Sequence, residues 1–585
     1  MGSLWQDLWY GARMLRKNPG FTAIAILTIA LGIGANTAIF SIVDWVLLRP
    51  LPVSHPERMT YLTIQQKGRN TNGFSFPDFA DIQKQTTSSF SDVAAFDLGQ
   101  DGLTVDGKTQ PIFTAYISGN FFQMLGIHPA AGRFILPTEG AVAGADPVVV
   151  LSYSTWVTRF GSDPSAIGKS VAVNGRHMTI VGVAPQGFQG ISAGLDFQGY
   201  LPISMQTQTL DGSRPADYMT NRESRSMLIL ARLKDGVSLD QARSELDVVS
   251  QRLAKEYPKT NEDMAFHVWR LTPAGPNSNP ENSPIGTLGA LFLGLAFLVL
   301  VLACLNVANM LLVRAAARGR EMAVRAALGA ARGRLIRQLL AESLLLAGLG
   351  CVAGIGVGLM ASQAMSSVNV GATIPIVMNF QFDWRVFAFA FGIALLTGIL
   401  AGIVPALRAS RTDLSTMLHD GERSMTRSRQ RMRSALVVAQ VAGSLALLVV
   451  AGLFTRSLGN VHMSDLGFDP QHVMNFTMDP RGIGFSQAQS TEFYQQLLDR
   501  ISAVPGVQSA ALAATVPMGE VELGGHIEIE GRPVANGQPP NSASDNFVTP
   551  QYFDVMRIPL LRGRGITDGD KQNSQRIAVV NETMA

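Results

Sequence analysis

The sequence predicts an α+β membrane protein: a helical bundle of about five spans that carries two α/β domains outside the membrane, the second incomplete. Three observations predict it. The 585-residue chain has a positive mean hydropathy with only 16% charged residues, a balance that excludes an ordinary soluble globular protein. Several apolar runs are long enough to cross a bilayer. Arginines crowd into two of the loops between those runs, the bias that marks cytoplasmic loops.

Residues 1–20 carry Arg13, Arg16 and Lys17 ahead of Pro19-Gly20 and read as a cytoplasmic N-terminal segment. The apolar run 21–48 follows. A secretory signal has an apolar core of only about 7 to 15 residues, so this longer run is read as an uncleaved transmembrane helix.

Residues 49–283 are polar, mixed in charge and rich in turn residues, which predicts a folded extracytoplasmic domain of about 230 residues. A strand from Met59 to Ile64, a helix capped near Ser75 with Phe79 and Ile82 inward, and a strand from Val93 to Phe96 open it. Near its end come a strand from Ser226 to Leu233 and a helix. That helix has a capping box of Ser238 and Gln241 and a face of Ala242, Leu246, Val249 and Leu253. Between them lie β-rich stretches at 148–151, 170–173 and 179–183, expected to form a second subdomain inserted into the first.

Residues 284–407 hold spans two to four, expected at 285–313, 339–365 and 386–407. A cytoplasmic linker, 408–433, and a fifth span within 434–456 complete the bundle. Between spans two and three lies the basic, Ala-rich segment 314–343. Helical spacing sets Met322, Ala326 and Ala330 on one face and Arg318, Arg325 and Arg332 on another, with Gly329 allowing a bend. A stop-transfer cluster touching anionic headgroups needs only charge; this segment adds an acid, Glu321, and a glycine break. It is read as a cytoplasmic docking segment.

An internal repeat organises the rest. ISGNFFQMLGIHPAAGRF (117–134) aligns with VTPQYFDVMRIPLLRGRG (548–565), pairing Phe122 with Phe553 and Arg133 with Arg564. Strands at 473–478, 507–512 and 577–580 and a helix around Tyr494, Leu498 and Ile501 are expected as counterparts of the first domain. Residues 457–585 are therefore expected to be a second, truncated copy. Completing the pattern would take roughly 250 further residues and about three more spans.

Other candidate sites fare less well. DPSAIGKS (163–170) ends like a P-loop but has Asp163 where the first glycine belongs, so a turn into a strand is the reading. GISAG (190–194) matches a nucleophile elbow, with Ser192 as nucleophile and Asp196 and His267 as partners. That elbow needs a strand before it and a helix after it, and 195–203 reads as extended. The eight histidines show no ligand spacing, and Cys304 and Cys351 fall in apolar runs. No cofactor, metal site or catalytic residue is assigned, and no nucleic-acid partner. Gly350, Gly354 and Gly358 recur every four residues on the third span, a surface for close helix packing. Asn36, Asn306 and Asn309 lie in apolar runs and are expected to bond across helices.

On these residues the chain resembles a known family. REMAVRAALGAARGRLIRQLLAES (320–343) is similar to the cytoplasmic coupling segment of FtsX/MacB-type ABC transporter permeases. DPSAIGKSVAVNGRHMTIVGV (163–183) and ARLKDGVSLDQARSEL (231–246) resemble pieces of the MacB periplasmic core domain. The N-terminal segment and the duplication resemble the acidobacterial duplicated orphan permeases. The resemblance implies an inner-membrane permease, N-terminus inside, with MacB-like α/β core domains in the periplasm. It implies a cytoplasmic ABC ATPase on another chain, a second permease half or chain, and periplasmic or outer-membrane components for efflux. By the same resemblance Glu321, Arg325, Gly329, Arg332 and Arg337 face the ATPase. The alternative is an FtsX-like regulator that activates an extracytoplasmic cell-wall hydrolase.

Overall fold

The computed structural model describes residues 2–66, 69–71, 73–192, 194–209, 217–273, 275–276, 284–317, 332–366, 384–409, 424–463, 466–517, 519, 523–527, 529, 542–571 and 574–585. They form two compact units. One gathers Met1–Arg49, Ser283–Val370 and Val377–Ser464; the other gathers Pro50–Asn282, Gly371–Ile376 and Asp465–Ala585.

The chain opens with α1 (Gly2–Lys17), where composition alone marks only a basic tail. Pro19 then stands at the first position of α2 (Pro19–Val43). Its missing N–H is one a helix start leaves unbonded anyway. A π-turn over Asp44–Leu48 ends the helix, and Arg49 N donates to Asp44 O at 2.6 Å.

The first extramembrane domain comprises strands β1 (Met59–Gln66), β2 (Arg69–Thr71), β3 (Phe90–Val105), β4 (Lys108–Ile117), β5 (Ala131–Gly132), β6 (Val148–Leu151), β7 (Ser170–Val173), β8 (Arg176–Val183), β9 (Gly199–Pro202), β10 (Leu228–Leu233) and β11 (Met264–Arg270). Its main helices are α3 (Phe76–Gln85), α4 (Phe121–Leu125), α5 (Tyr153–Phe160) and α6 (Leu239–Glu256). The sheet order is β11-β1-β10-β3-β4-β9-β6-β8-β5, with β2 on β1 and β7 joined to β3 and β8. The expected separate insert is thus part of one continuous sheet. The reason is β3, whose hairpin with β4 pairs every residue from Phe96 to Val105 and carries the sheet through both halves.

The alternation of β1 explains the two cores. Leu62 and Ile64 join Phe79, Ile82, Leu246 and Leu253 on one face, whereas Met59 and Tyr61 join Phe96, Phe121, Phe122 and Tyr200 on the other. Successive strand side chains point to opposite faces, and burying each such side chain contributes roughly 1.5–3 kcal/mol. Ser75 caps α3 by accepting from Asp78 N, and Ser238 and Gln241 form the capping box of α6.

The membrane unit adds α7 (Pro284–Ala317), α8 (Arg332–Ser366), α9 (Trp384–Ala409) and α10 (Ser424–Met463). Four stretches, Pro19–Leu48, Gly286–Leu311, Ile336–Met365 and Ser434–Asn460, are long and apolar enough to cross a membrane. Where the fourth of five spans is expected, the described apolar stretch is the shorter Trp384–Leu400.

After Ser464 the segment holds α11 (Gln487–Ser502), the strands β12 (Leu523–His526) and β13 (Ser542–Asp545), and α12 (Tyr552–Val555). The strands expected at 473–478, 507–512 and 577–580 are not formed. In the first domain β1 is laddered by β10 and β11; among the described residues after Ser464 no segment plays that part, and an unpaired strand gains nothing from its pattern. Local features nevertheless recur. Ser118 Oγ accepts from Ala95 N and Thr549 Oγ1 accepts from Leu512 N, each three residues before a short helix.

Candidate functional site

Of the segment 314–343, residues 318–331 lie outside the described residues, so Glu321, Arg325 and Gly329 carry no structural account. Arg332 begins α8, and Arg337 lies one turn further on, partly buried. The helix of the third span therefore starts at Arg332, seven residues ahead of the expected start at Leu339.

What α8 touches is set by its small residues. Gly350 lies against Ile29 so closely that an added Cβ would overlap the isoleucine side chain, and a Cβ on Gly354 would sit 2.9 Å from Ile33 Cβ. From the other side, a Cβ on Gly34 would meet Val357 Cγ1 at 2.8 Å. The two helices interlock because each glycine leaves room for a side chain of the other helix: Gly350 and Gly354 for Ile29 and Ile33, Gly34 for Val357. Gly358 is buried on the same helix.

The foot of α8 is also occupied. A Cβ on Gly11 of α1 would lie 2.8 Å from Leu345 Cδ1 and 3.6 Å from Glu342 Cα. Leu15 joins Ile29, Ile33 and Leu346 in the bundle core. Trp9 is exposed, with the Arg13 guanidinium 4.6 Å from its ring centroid. The sequence reading missed this helix, although Leu4, Leu8, Gly11 and Leu15 recur at helical spacing.

Polar atoms in the bundle bond between helices, since lipid offers them no partner. Asn36 Nδ2 donates to Ala296 O at 2.8 Å and Asn309 Nδ2 to Gln440 Oε1 at 3.0 Å. At the far end of α2, Asp44 is fully buried. Its carboxylate lies 3.6 Å from Arg49 Nε and 3.8 Å from Arg385 Nη1, and Arg385 also donates to Leu48 O at 2.8 Å. One turn back, Phe40 stacks on Phe389 with ring centroids 3.9 Å apart. Beyond Arg49 the chain enters the first domain, where Leu51 is buried in the core and Ser54 N donates to Leu125 O at 3.0 Å.

The enzyme-like motifs do not assemble. Asp163 caps a 3-10 turn by accepting from Ser165 N at 2.8 Å, and its carboxylate lies 3.4 Å from Lys169 Nζ. These hydrogen bonds from Ser165, with Lys169 adding to them, hold the Asp163 carboxyl below its usual range. Ser192 lies in a bend that leads to β9 and not to a helix. His267 is in β11 opposite Thr63, and among the described residues no hydrogen bond joins Ser192, Asp196 and His267. No group of three or more metal-ligating side chains occurs among the described residues.

Comparison with known proteins gives two family matches: the MacB-like periplasmic core domain over residues 22–249 and the FtsX-like permease C-terminal domain over residues 293–414. The pyoverdine export ATP-binding/permease protein PvdT of Pseudomonas syringae pv. tomato is 26% identical over 311 residues, covering 51% of this chain and 42% of that protein. The macrolide export ATP-binding/permease protein MacB of Bradyrhizobium diazoefficiens is 28% identical over 305 residues, covering 51% and 41%. The chain thus spans less than half the length of these relatives. Among solved structures, the periplasmic region of MacB from Actinobacillus actinomycetemcomitans is 17% identical, covers 37% of this chain and 90% of that one, and gives a TM-score of 0.28.

Proposed function

This chain belongs to the FtsX/MacB-type ABC transporter permeases and is a multi-pass inner-membrane protein, and we propose that it transmits work without catalysing ATP hydrolysis itself. An ATPase on a separate chain docks on the segment 314–343 through Glu321, Arg325, Gly329, Arg332 and Arg337. Five helices cross the membrane, the fourth being α9, with the N-terminus in the cytoplasm. Residues 457–585 form a second MacB-like domain, and a second permease half completes the pair. Nucleotide-driven movement of the helices shifts the periplasmic domains and drives export or efflux.

The observation that carries this reading is the interlock of α8 with α2. The helix that begins in the docking segment meets α2 along Gly350 and Gly354, and α2 continues in sequence into the first domain. Ile29 and Ile33 of α2 fill the room that Gly350 and Gly354 leave, and a close-packed contact without slack passes a displacement at the foot of α8 on to α2. Capture of a soluble ABC ATPase by the full chain tests the docking site. Arg325→Glu with Arg332→Glu is expected to abolish capture, and undiminished capture would sink the assignment. The alternative, regulation of a cell-wall hydrolase, predicts that such an enzyme is captured through the first periplasmic domain.

A further inference from the structure

Two hairpins of the first domain meet at a notch flanked by two glycines. Gly102 lies on β3 and Gly175 in the β7–β8 turn, with φ +75°. Between them Asn174 is a buried brace. Its Oδ1 accepts from Gly102 N at 2.6 Å, and its Nδ2 donates to Asp101 Oδ1 at 2.7 Å and to Thr209 O at 2.8 Å. Asp101 in turn accepts from Thr114 and from Tyr116 at 2.9 Å.

A turn from the C-terminal segment sits in this notch. Pro480–Ile483 form a 3-10 turn capped by Asp479, which accepts from Arg481 N at 3.1 Å, and Gly484 follows at φ +90°. A Cβ on Gly102 would come 2.7 Å from Gly482 Cα, and one on Gly175 would come 2.5 Å from Gly484 Cα. Backbone meets backbone on both sides. Among the described residues no hydrogen bond crosses the contact, so shape and dispersion hold it, against the like charge of Asp479 near Asp101.

The corresponding stretch of the first domain is used differently. Gly73-Phe74-Ser75 precedes α3 as Gly484-Phe485-Ser486 precedes α11, and both serines are N-caps. Ahead of Gly73 the chain turns back on its own sheet, with β2 pairing β1. Ahead of Gly484 it reaches the other domain.

We propose that the Gly102–Gly175 notch is a reversible docking interface whose occupant is the Asp479–Gly484 turn of the same chain, and that it sets whether the two extramembrane domains move together. Four glycines and no crossing hydrogen bond make the contact close but inexpensive to open, and the Asp101–Asn174 brace keeps the notch shaped when it is empty. The proposal rests on this contact and stands whether or not an ATPase drives the bundle.

Hydrogen exchange on the full chain in nanodiscs, without nucleotide or ATPase, tests it. In Gly102→Ala, whose methyl fills the notch, the amides of 479–486 are expected to exchange at least about tenfold faster than in the unaltered chain, while β1 and β10 keep their protection. Gly482→Trp, changed on the opposite side of the contact, is expected to do the same. Equal exchange of 479–486 in the unaltered chain and both variants would overturn the proposal. If Gly102→Ala also loosens β1 and β10, Gly482→Trp alone decides the outcome.

Discussion

Arg564 grips Asp570 through two parallel hydrogen bonds, Nη1 to Oδ2 at 2.7 Å and Nη2 to Oδ1 at 2.8 Å. Arg133 holds Glu139 in the same way, with both bonds at 2.8 Å. In each case the arginine also reaches the next residue's carbonyl, Gly565 or Phe134, and the carboxylate accepts a backbone N–H from Thr567 or Leu136. The clasp closes a turn in each of the two aligned segments, 117–134 and 548–565 with the residues that follow them.

The Arg133 hydrogen bonds hold the Glu139 carboxyl below its usual range, and Arg564 does the same to Asp570. A lowered folded value means stability present above the unfolded pKa and lost as pH falls through the folded one. Arg133→Lys replaces a fork by a point charge. On this solvent-screened pair it is expected to cost about 0.5–1 kcal/mol at pH 7. Denaturant titrations at pH 7 and pH 3 check it: the gap between variant and parent should shrink in acid.

Gly350→Leu and Gly354→Leu should force α2 away from α8, at a cost of about 1–3 kcal/mol each. Gly356, two residues past Gly354 and so on another face of the helix, with nothing within 4 Å of an added Cβ, provides the control. Thermal melting in detergent should fall for the first two variants and hold for Gly356→Leu. Equal melting of all three would show that the close approach is not required.

Asp101 is buried on β3. Burial pushes its carboxyl up, against hydrogen bonds from Thr114, Tyr116 and Asn174 that pull it down, and the net direction is upward. The folded state then keeps this proton to higher pH than the unfolded chain. Its contribution is fully present below the unfolded value and fades as pH rises through the folded one. The difference in stability between the parent and Asp101→Asn should therefore depend on pH above about 4. A difference that stays constant from pH 4 to pH 8 would refute it.

Asn309 and Gln440 tie α7 to α10. A double-mutant cycle with Asn309→Leu and Gln440→Leu should return a coupling of about 0.6 kcal/mol, typical of hydrogen bonds between membrane helices. A coupling of zero would leave α10 held to α7 by packing alone, as where a Cβ on Gly443 would meet Leu302 Cδ2 at 2.7 Å.

Much of this was legible before any coordinates. The first domain's capped helices were readable because Ser75 and Ser238 act on backbone within three residues, and the apolar runs because bilayer length is a local property. The strands β4 and β11 were not readable, and β9 only as extended chain within 195–203. β4 mixes Lys108, Gln110 and Pro111 into its start, and β9 is short and buried throughout; each is a strand because of its neighbours. Of the candidate docking residues only Arg332 and Arg337 fall on described helix, so the segment's chemistry remains a statement of the sequence.

The sequence by itself determined the apolar runs, the basic loops, the helix caps and the alignment of 117–134 with 548–565, since each depends on residues close together along the chain. Tertiary structure alone decided that β3 and β4 fuse the expected subdomains into one sheet, that Gly350 meets Ile29, and that a turn near Gly482 reaches Gly102. Those pairings join residues far apart in sequence. Which distant surface a glycine faces depends on how whole elements pack, and a residue with no side chain leaves no trace of its partner in the sequence.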